Sequence, residues 1–318
     1  MNIGHIIIYA IVPIFVVMAA GFIAGKKGAF DGNDAKKFNK VVLDFALPAA
    51  LFVSIVQASR EMLMRDIKLT IVAVISIMVI FMAVYFIYAK CFKKNTGADG
   101  AIMALISGSP TIGFLGFAVL EPIFGTNPSV ALVVAIVGIV VNAIGIPVGL
   151  SLFSASSEKA SGKKNPWWKP VVNALKQPVA WAPILAVIWV VCGIPWPKEL
   201  SPSFNLIAKA NASMAVFSAG ITLSAVKIVI NWQALLGSII KLGVMPAFTL
   251  LLGLWFHMDP ENLKMLVCAN ALPPAFSGII IADEYDTYVA TGTSSLTISM
   301  ILFMGMCPLW LWITDMVV

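Results

Sequence analysis

The sequence predicts an all-α polytopic membrane protein. Ten transmembrane helices form two inverted five-helix repeats, with helices four and nine broken and crossing. Three observations carry this reading. Of the 318 residues 60% are hydrophobic and 11% charged, against about 25% charged in a soluble domain. Apolar runs of about 20 residues, the length that spans a bilayer as a helix, recur along the whole chain. Two of these runs are interrupted alike: Leu105–Phe117 by Pro110 among glycines, and Cys268–Ile279 by Pro273 and Pro274. Pro110 and Pro273 lie 163 positions apart.

The spans fall at 3–25, 36–57, 67–90, 99–121, 129–153, 178–194, 203–226, 232–256, 262–283 and 287–314. The sixth is the shortest. The first lacks a basic leader and ends in Gly25-Lys26-Lys27, so it reads as a span and not as a cleaved signal. Pro13, Pro48, Pro147, Pro183, Pro246 and Pro308 also fall inside spans. They read as kinks, which membrane helices tolerate.

Charge then orients the spans. With the N-terminus outside, the inside loops hold 14 lysines, while the outside loops hold five lysines or arginines. The remaining two of the 21 basic residues, Lys209 and Lys241, lie within spans. The positive-inside rule therefore places both termini outside. The longest hydrophilic stretch, 154–177, is a basic cytoplasmic loop whose Trp167-Trp168 pair reads as an interfacial anchor. It separates repeats 1–153 and 178–318, each with five spans. An odd number of spans per repeat gives opposite topologies, as in many secondary transporters. The halves also align weakly. Leu47-Pro-Ala-Ala-Leu-Phe52 matches Ala212-Ser-Met-Ala-Val-Phe217, which sets Asp44 opposite Lys209.

Several function classes fall away. The four cysteines have no paired spacing and read as small core residues. The two histidines are too few and too separated for a metal cluster, so neither a metal nor a cofactor is expected. The net charge of +6 arises from loop lysines, a topology signal and not a nucleic-acid one. Neither a His-Glu-x-x-His motif nor a P-loop is present, which argues against an intramembrane metalloprotease and a nucleotide-driven pump.

Transport needs a polar site near the midplane. At a proline break the following half-helix starts with N–H groups that lack intrahelical partners, and these favour an anion. Ser109, Pro110, Thr111 and Gly113 form the first break. Asn270, Pro273, Pro274 and Ser277 form the second. A single break is explained by a kink with small residues for helix packing; the matched pair points to a substrate site. Lys209 joins the substrate-binding candidates, although its place near a helix start also lets it snorkel. Asp44, Asn142 and Lys241 are candidates for coupling or gating. Asp44 follows Lys40 by four residues and can pair with it locally. Asn142 can bond between helices. Lys241 is too deep to snorkel and either neutralises a carboxylate or braces the scaffold.

These residues also resemble a known family. Pro110-Thr-Ile-Gly-Phe-Leu-Gly-Phe-Ala-Val-Leu120 resembles the fourth helix of the auxin efflux carrier family. Leu272-Pro-Pro-Ala-Phe-Ser-Gly-Ile-Ile-Ile-Ala-Asp-Glu-Tyr285 resembles its ninth, with Ala-Asp-Glu-Tyr the most specific element. Ala46–Phe52 and Lys241–Pro246 fit as well, so the resemblance runs through the chain. It implies a fold similar to bile-acid sodium symporters, and small organic anions, such as malonate, as substrates. The short central loop resembles bacterial members, which implies the cytoplasmic (inner) membrane. A homodimer is compatible with the resemblance. Many members carry Asn at the position of Thr111 and Pro at that of Ala118. Threonine offers one hydroxyl donor in place of the amide's two, so the resemblance does not extend to auxin itself. A sodium- or proton-coupled symporter of another solute is the alternative within transport. An intramembrane enzyme is the alternative outside it.

Overall fold

A computed structural model describes residues 8, 12–56, 67–126, 128–161, 178–225 and 231–318. The regular elements among the described residues are all helices, with one isolated antiparallel bridge and no strands. The helices are α1 Val12–Lys26, α2 Gly32–Val41, α3 Leu47–Val56, α4 Ile67–Phe86, α5 Gly97–Ser107, α6 Ile112–Phe124, α7 Pro128–Ile139 and α8 Ile146–Ser161. After the basic loop come α9 Pro178–Val191, α10 Ser201–Ala208, α11 Ala210–Ala225, α12 Trp232–Ile239, α13 Met245–Trp255, α14 Pro260–Asn270, α15 Phe276–Glu284 and α16 Val289–Val317. The Trp167-Trp168 pair lies outside the described residues.

Among the described residues, five continuous helical stretches are long and apolar enough to cross a bilayer: Ile67–Cys91, Pro128–Ser156, Lys198–Ala225, Trp232–Trp255 and Val289–Val317. They correspond to the third, fifth, seventh, eighth and tenth expected spans. The fourth and ninth are each two short helices, α5 with α6 and α14 with α15. The first and sixth appear as the shorter apolar helices Val12–Lys26 and Trp181–Val191. Side-chain caps set several starts. Asp31 accepts from the N–H groups of Asn33 and Asp34 at 2.7 and 2.9 Å, so α2 begins earlier than hydropathy alone indicates. Thr96 and Asp99 form the reciprocal box that starts α5. Asn231 caps α12 through the Ala234 N–H at 2.7 Å.

Three of the intraspan prolines do more than kink. Each follows a widened, π-type turn: Val42–Ala46 before Pro48, Val140–Gly145 before Pro147, and Ile240–Val244 before Pro246. In each, the residue just before the proline donates to a carbonyl five positions back: Leu47 to Val42, Ile146 to Val141, and Met245 to Ile240. Proline has no N–H and its ring crowds the carbonyl four residues earlier, so the turn opens to relieve both.

The chain forms two compact units. The first comprises Met1–Thr70, Ile112–Gly138 and Gln177–Val226; the second comprises Ile71–Thr111, Ile139–Lys176 and Lys227–Val318. Each draws on both halves of the sequence. In the first unit α1 lies so close to α11 that a Cβ on Gly21 would meet the Phe217 carbonyl, and one on Gly220 the Met18 carbonyl. Phe30, Phe38 and Phe217 pack edge to face beside them. Phe52 of α3 gathers Trp189, Trp196 and Phe204 at 5.4–6.3 Å between ring centroids. In the second unit α5 packs on α8 and α15, and α16 packs on α12 and α14. Cys268 and Cys307 lie in that core with sulfurs 3.9 Å apart, as expected of small core residues. Cys91 and Cys192 are exposed instead, because each stands at the worn end of its helix.

The indole of Trp310 donates to the Leu242 carbonyl at 2.7 Å. Leu242 is four residues before Pro246, so that carbonyl has lost its usual helical donor. Trp310→Phe leaves it buried and unpaired, which should cost about 1–3 kcal/mol. Thermal melting of the detergent-purified protein should show a clear drop for Trp310→Phe and none for Trp312→Phe, whose side chain is half exposed.

Candidate functional site

The two proline breaks meet inside the second unit. α5 stops at Gly108, and Ser109-Pro110-Thr111 runs extended before α6. α14 stops at Ala271, and Leu272–Ala275 runs extended before α15. Pro110 and Pro274 form the antiparallel bridge. Thr111 N–H donates to the Pro273 carbonyl at 2.9 Å, and Ala275 N–H donates to the Ser109 carbonyl at 3.0 Å. Each break thus satisfies backbone groups of the other. The approach is tight. A Cβ on Gly278 would stand 2.7 Å from the backbone of Leu105 and Ile106.

Polar side chains surround this junction. Asn270 is fully buried, and its amide donates to Thr249 Oγ1 at 2.9 Å and to Ser76 Oγ at 3.3 Å. The ammonium of Lys241, also fully buried, donates to the Asn270 carbonyl and lies 3.2 Å from Met245 Sδ. A cation therefore sits at the C-terminal end of α14, where the helix dipole is negative. Of the two roles open to Lys241, the bonds found are those of a brace on the break, and among the described residues none is to a carboxylate. Ser107 lies 3.2 Å from Ser295, whose carbonyl accepts from Ser238 at 3.1 Å. Among the described residues, three buried polar atoms of this unit have no protein partner: Thr111 Oγ1, Asn270 Oδ1 and Ser299 Oγ.

Ser109, Pro110, Thr111, Asn270, Pro273, Pro274 and Lys241 are thus brought together. Asn142 belongs to the same unit. It lies in the π-type turn ending at Gly145, where a Cβ would stand 3.9 Å from Ser109 Oγ. Ser277 is in the first turn of α15, and its side chain lies outside the described residues. Gly113, Asp44 and Lys209 belong to the first unit. Asp44 occupies the π-type turn before Pro48, which contacts α10 and α11. Among the described residues it makes no ion pair with Lys40. Lys209 is exposed at the kink between α10 and α11. The three coupling candidates Asp44, Asn142 and Lys241 all lie in π-type turns, each within one position of the middle of its turn. Such turns are frequent at functional sites.

Sequence reasoning missed two features. One is a polar cluster in the second unit, where the Tyr88 hydroxyl donates to the Gln233 carbonyl and the Tyr288 hydroxyl to the Gln233 side chain. Asn95 joins it through the Tyr288 hydroxyl at 2.9 Å. The tyrosines stand at span ends, a place that signals only interfacial anchoring. The other is a pair of cavities in the first unit, of about 470 and 570 Å³, which share Phe117, Glu121, Thr126 and Ala212. Among the described residues no group of three His, Cys, Asp or Glu side chains is placed to hold a metal ion.

An apolar helical protein with two mutually paired broken helices has the features of a membrane transporter. Comparison with known proteins agrees. A family described as membrane transport proteins matches residues 6–311, and the chain belongs to this family, which is of the auxin efflux carrier type. It is 49% identical over 309 residues to the uncharacterized transporter YfdV of Escherichia coli K12, covering 96% of this chain and 97% of that one. It is 23% identical over 309 residues to the uncharacterized transporter MJ1031 of Methanocaldococcus jannaschii, covering 94% and 96%.

Removing the Lys241 charge gives two opposed effects. Burying an ammonium costs several kcal/mol, while its hydrogen bond to a carbonyl returns about 1.5–3 kcal/mol. Lys241→Met keeps most of the side-chain volume. Its melting temperature should therefore stay within a few degrees of the parent, while transport falls. A collapse in melting temperature would mean that the ammonium is needed for folding itself.

Proposed function

We propose that the protein carries a small organic anion, a carboxylate such as malonate, by alternating access through the junction of the two broken helices. The observation that carries this reading is the buried Thr111 hydroxyl. It has no partner in the protein and stands next to the Pro110–Pro274 bridge. A buried unpaired polar atom is destabilising, and one at a functional junction is explained by a ligand that pairs with it. The start of α6 directly beyond Thr111 adds backbone N–H groups of the kind that favour an anion. In this reading the chain has ten spans in two inverted repeats and lies in the bacterial cytoplasmic membrane. Both termini face outward, and the broken helices cross at the junction. No bond is made or broken in the substrate.

A second reading has a specific observation behind it. Asn270 Oδ1 is a buried acceptor without a donor, and half-helix ends with free carbonyl oxygens serve coupling cations in other carriers. In a sodium-coupled symporter it would be a cation ligand; a proton-coupled one would need another group, because an amide oxygen takes up no proton at neutral pH. Uptake of labelled malonate into proteoliposomes, with sodium, proton and voltage gradients imposed separately, tests both readings. Thr111→Val preserves shape and removes the hydroxyl. Its affinity for the anion should fall roughly tenfold to a hundredfold, as expected for losing about 1.5–3 kcal/mol. The ligand-free variant should melt no lower than the parent, because an unpaired buried hydroxyl has been removed. Unchanged affinity in folded Thr111→Val would reject the hydroxyl as a substrate contact.

A further inference from the structure

The larger cavity of the first unit, about 570 Å³, has a wall chemistry unlike that of the proline junction. Its polar lining is Glu121 near the end of α6 with Thr126 just beyond that helix, Asn205 in the last turn of α10, Lys209 at the kink that follows, and Asn211 in the first turn of α11. Val53 and Phe117 supply apolar wall. The volume is that of an ordinary small-molecule site. We propose that this cavity is a second binding site, for a small zwitterion of the amino-acid type.

The argument starts from Asn211. Its side chain is 2% exposed, and neither Nδ2 nor Oδ1 has a hydrogen-bond partner. An amide sealed from water with both ends unpaired is a rare state that a bound group resolves. Its complement presents an acceptor to Nδ2 and a donor to Oδ1. The charges on the wall repeat that demand. Lys209 and Glu121 line the same cavity, and among the described residues neither forms an ion pair. A plain carboxylate would suit Lys209 and Nδ2 but would leave Oδ1 unpaired and bring like charge toward Glu121. A plain amine would have the reverse fault. A molecule with a carboxylate at one end and an ammonium at the other meets all four groups at once. This site does not depend on the anion path through the second unit.

The test is equilibrium binding of labelled L-alanine and L-glutamine to the purified full-length protein in detergent. Saturable binding is expected. Propionate and ethylamine, which each keep one charged end of alanine, should compete at least about tenfold more weakly than alanine. Lys209→Met and Asn211→Leu should each weaken binding by about tenfold or more. Asn211→Leu should also raise the ligand-free melting temperature, since it replaces an unpaired amide by an apolar group of similar size. A purely structural amide would give a lower melting temperature, and that result overturns the proposal. So does absence of saturable binding to folded protein, propionate competing as well as alanine, or unaltered binding in both variants. Binding is read here without transport, so this site and the anion path can fail separately.

Discussion

The constraint on which this structure depends is that a helix broken inside a membrane protein must find new partners for its backbone. Proline removes one donor and strands a carbonyl, and no water is available at membrane depth to repair the loss. The protein repairs it in three ways. The two breaks pair with each other through Thr111 with Pro273 and Ala275 with Ser109. A lysine ammonium closes the end of α14. A tryptophan indole reaches the carbonyl freed by Pro246. Each repair also ties together helices distant in sequence. The junction is therefore both the weakest point of the backbone and the place where the second unit is most tightly knit.

The same constraint explains what remains unpaired. The repairs use backbone groups and the donors of Lys241 and Asn270, yet they leave the Thr111 hydroxyl and the side-chain amide oxygen of Asn270, Oδ1, without partners among the described residues. Those two atoms differ in kind. A hydroxyl can donate to an anion, while an amide oxygen can only accept. A junction with one of each offers a donor to an anion and an acceptor to a cation.

Much of this was legible in the sequence because it is written locally. The apolar lengths and the Pro110 and Pro273 breaks each depend on residues within a few positions. The partners of those breaks were not legible. Lys241 meets Asn270 from 29 positions away, and Trp310 meets Leu242 from 68. No period or motif encodes such contacts. Pro48, Pro147 and Pro246 read as simple kinks because proline chemistry fixes the defect but not the turn that absorbs it. The grouping into two units was hidden for a further reason: each collects segments from both halves, whereas the sequence displays only the order of the halves. Glu121 carries no local signal of a site, and only the fold sets it in the same cavity as Lys209 and Asn211.

The mutual pairing of the breaks has a consequence for how the chain is made. Pro110 leaves the ribosome 163 residues before Pro273. At about 5–20 residues per second that interval is roughly 8–33 s. Throughout it, Thr111 N–H and the Ser109 carbonyl have no Pro273 or Ala275 to meet. The fourth span must wait at the translocon or in lipid with its backbone open, or with substitute partners it later gives up. A nascent chain cut short before Pro273 would keep that opening permanently, and so would carry a mark by which membrane quality control can recognise it.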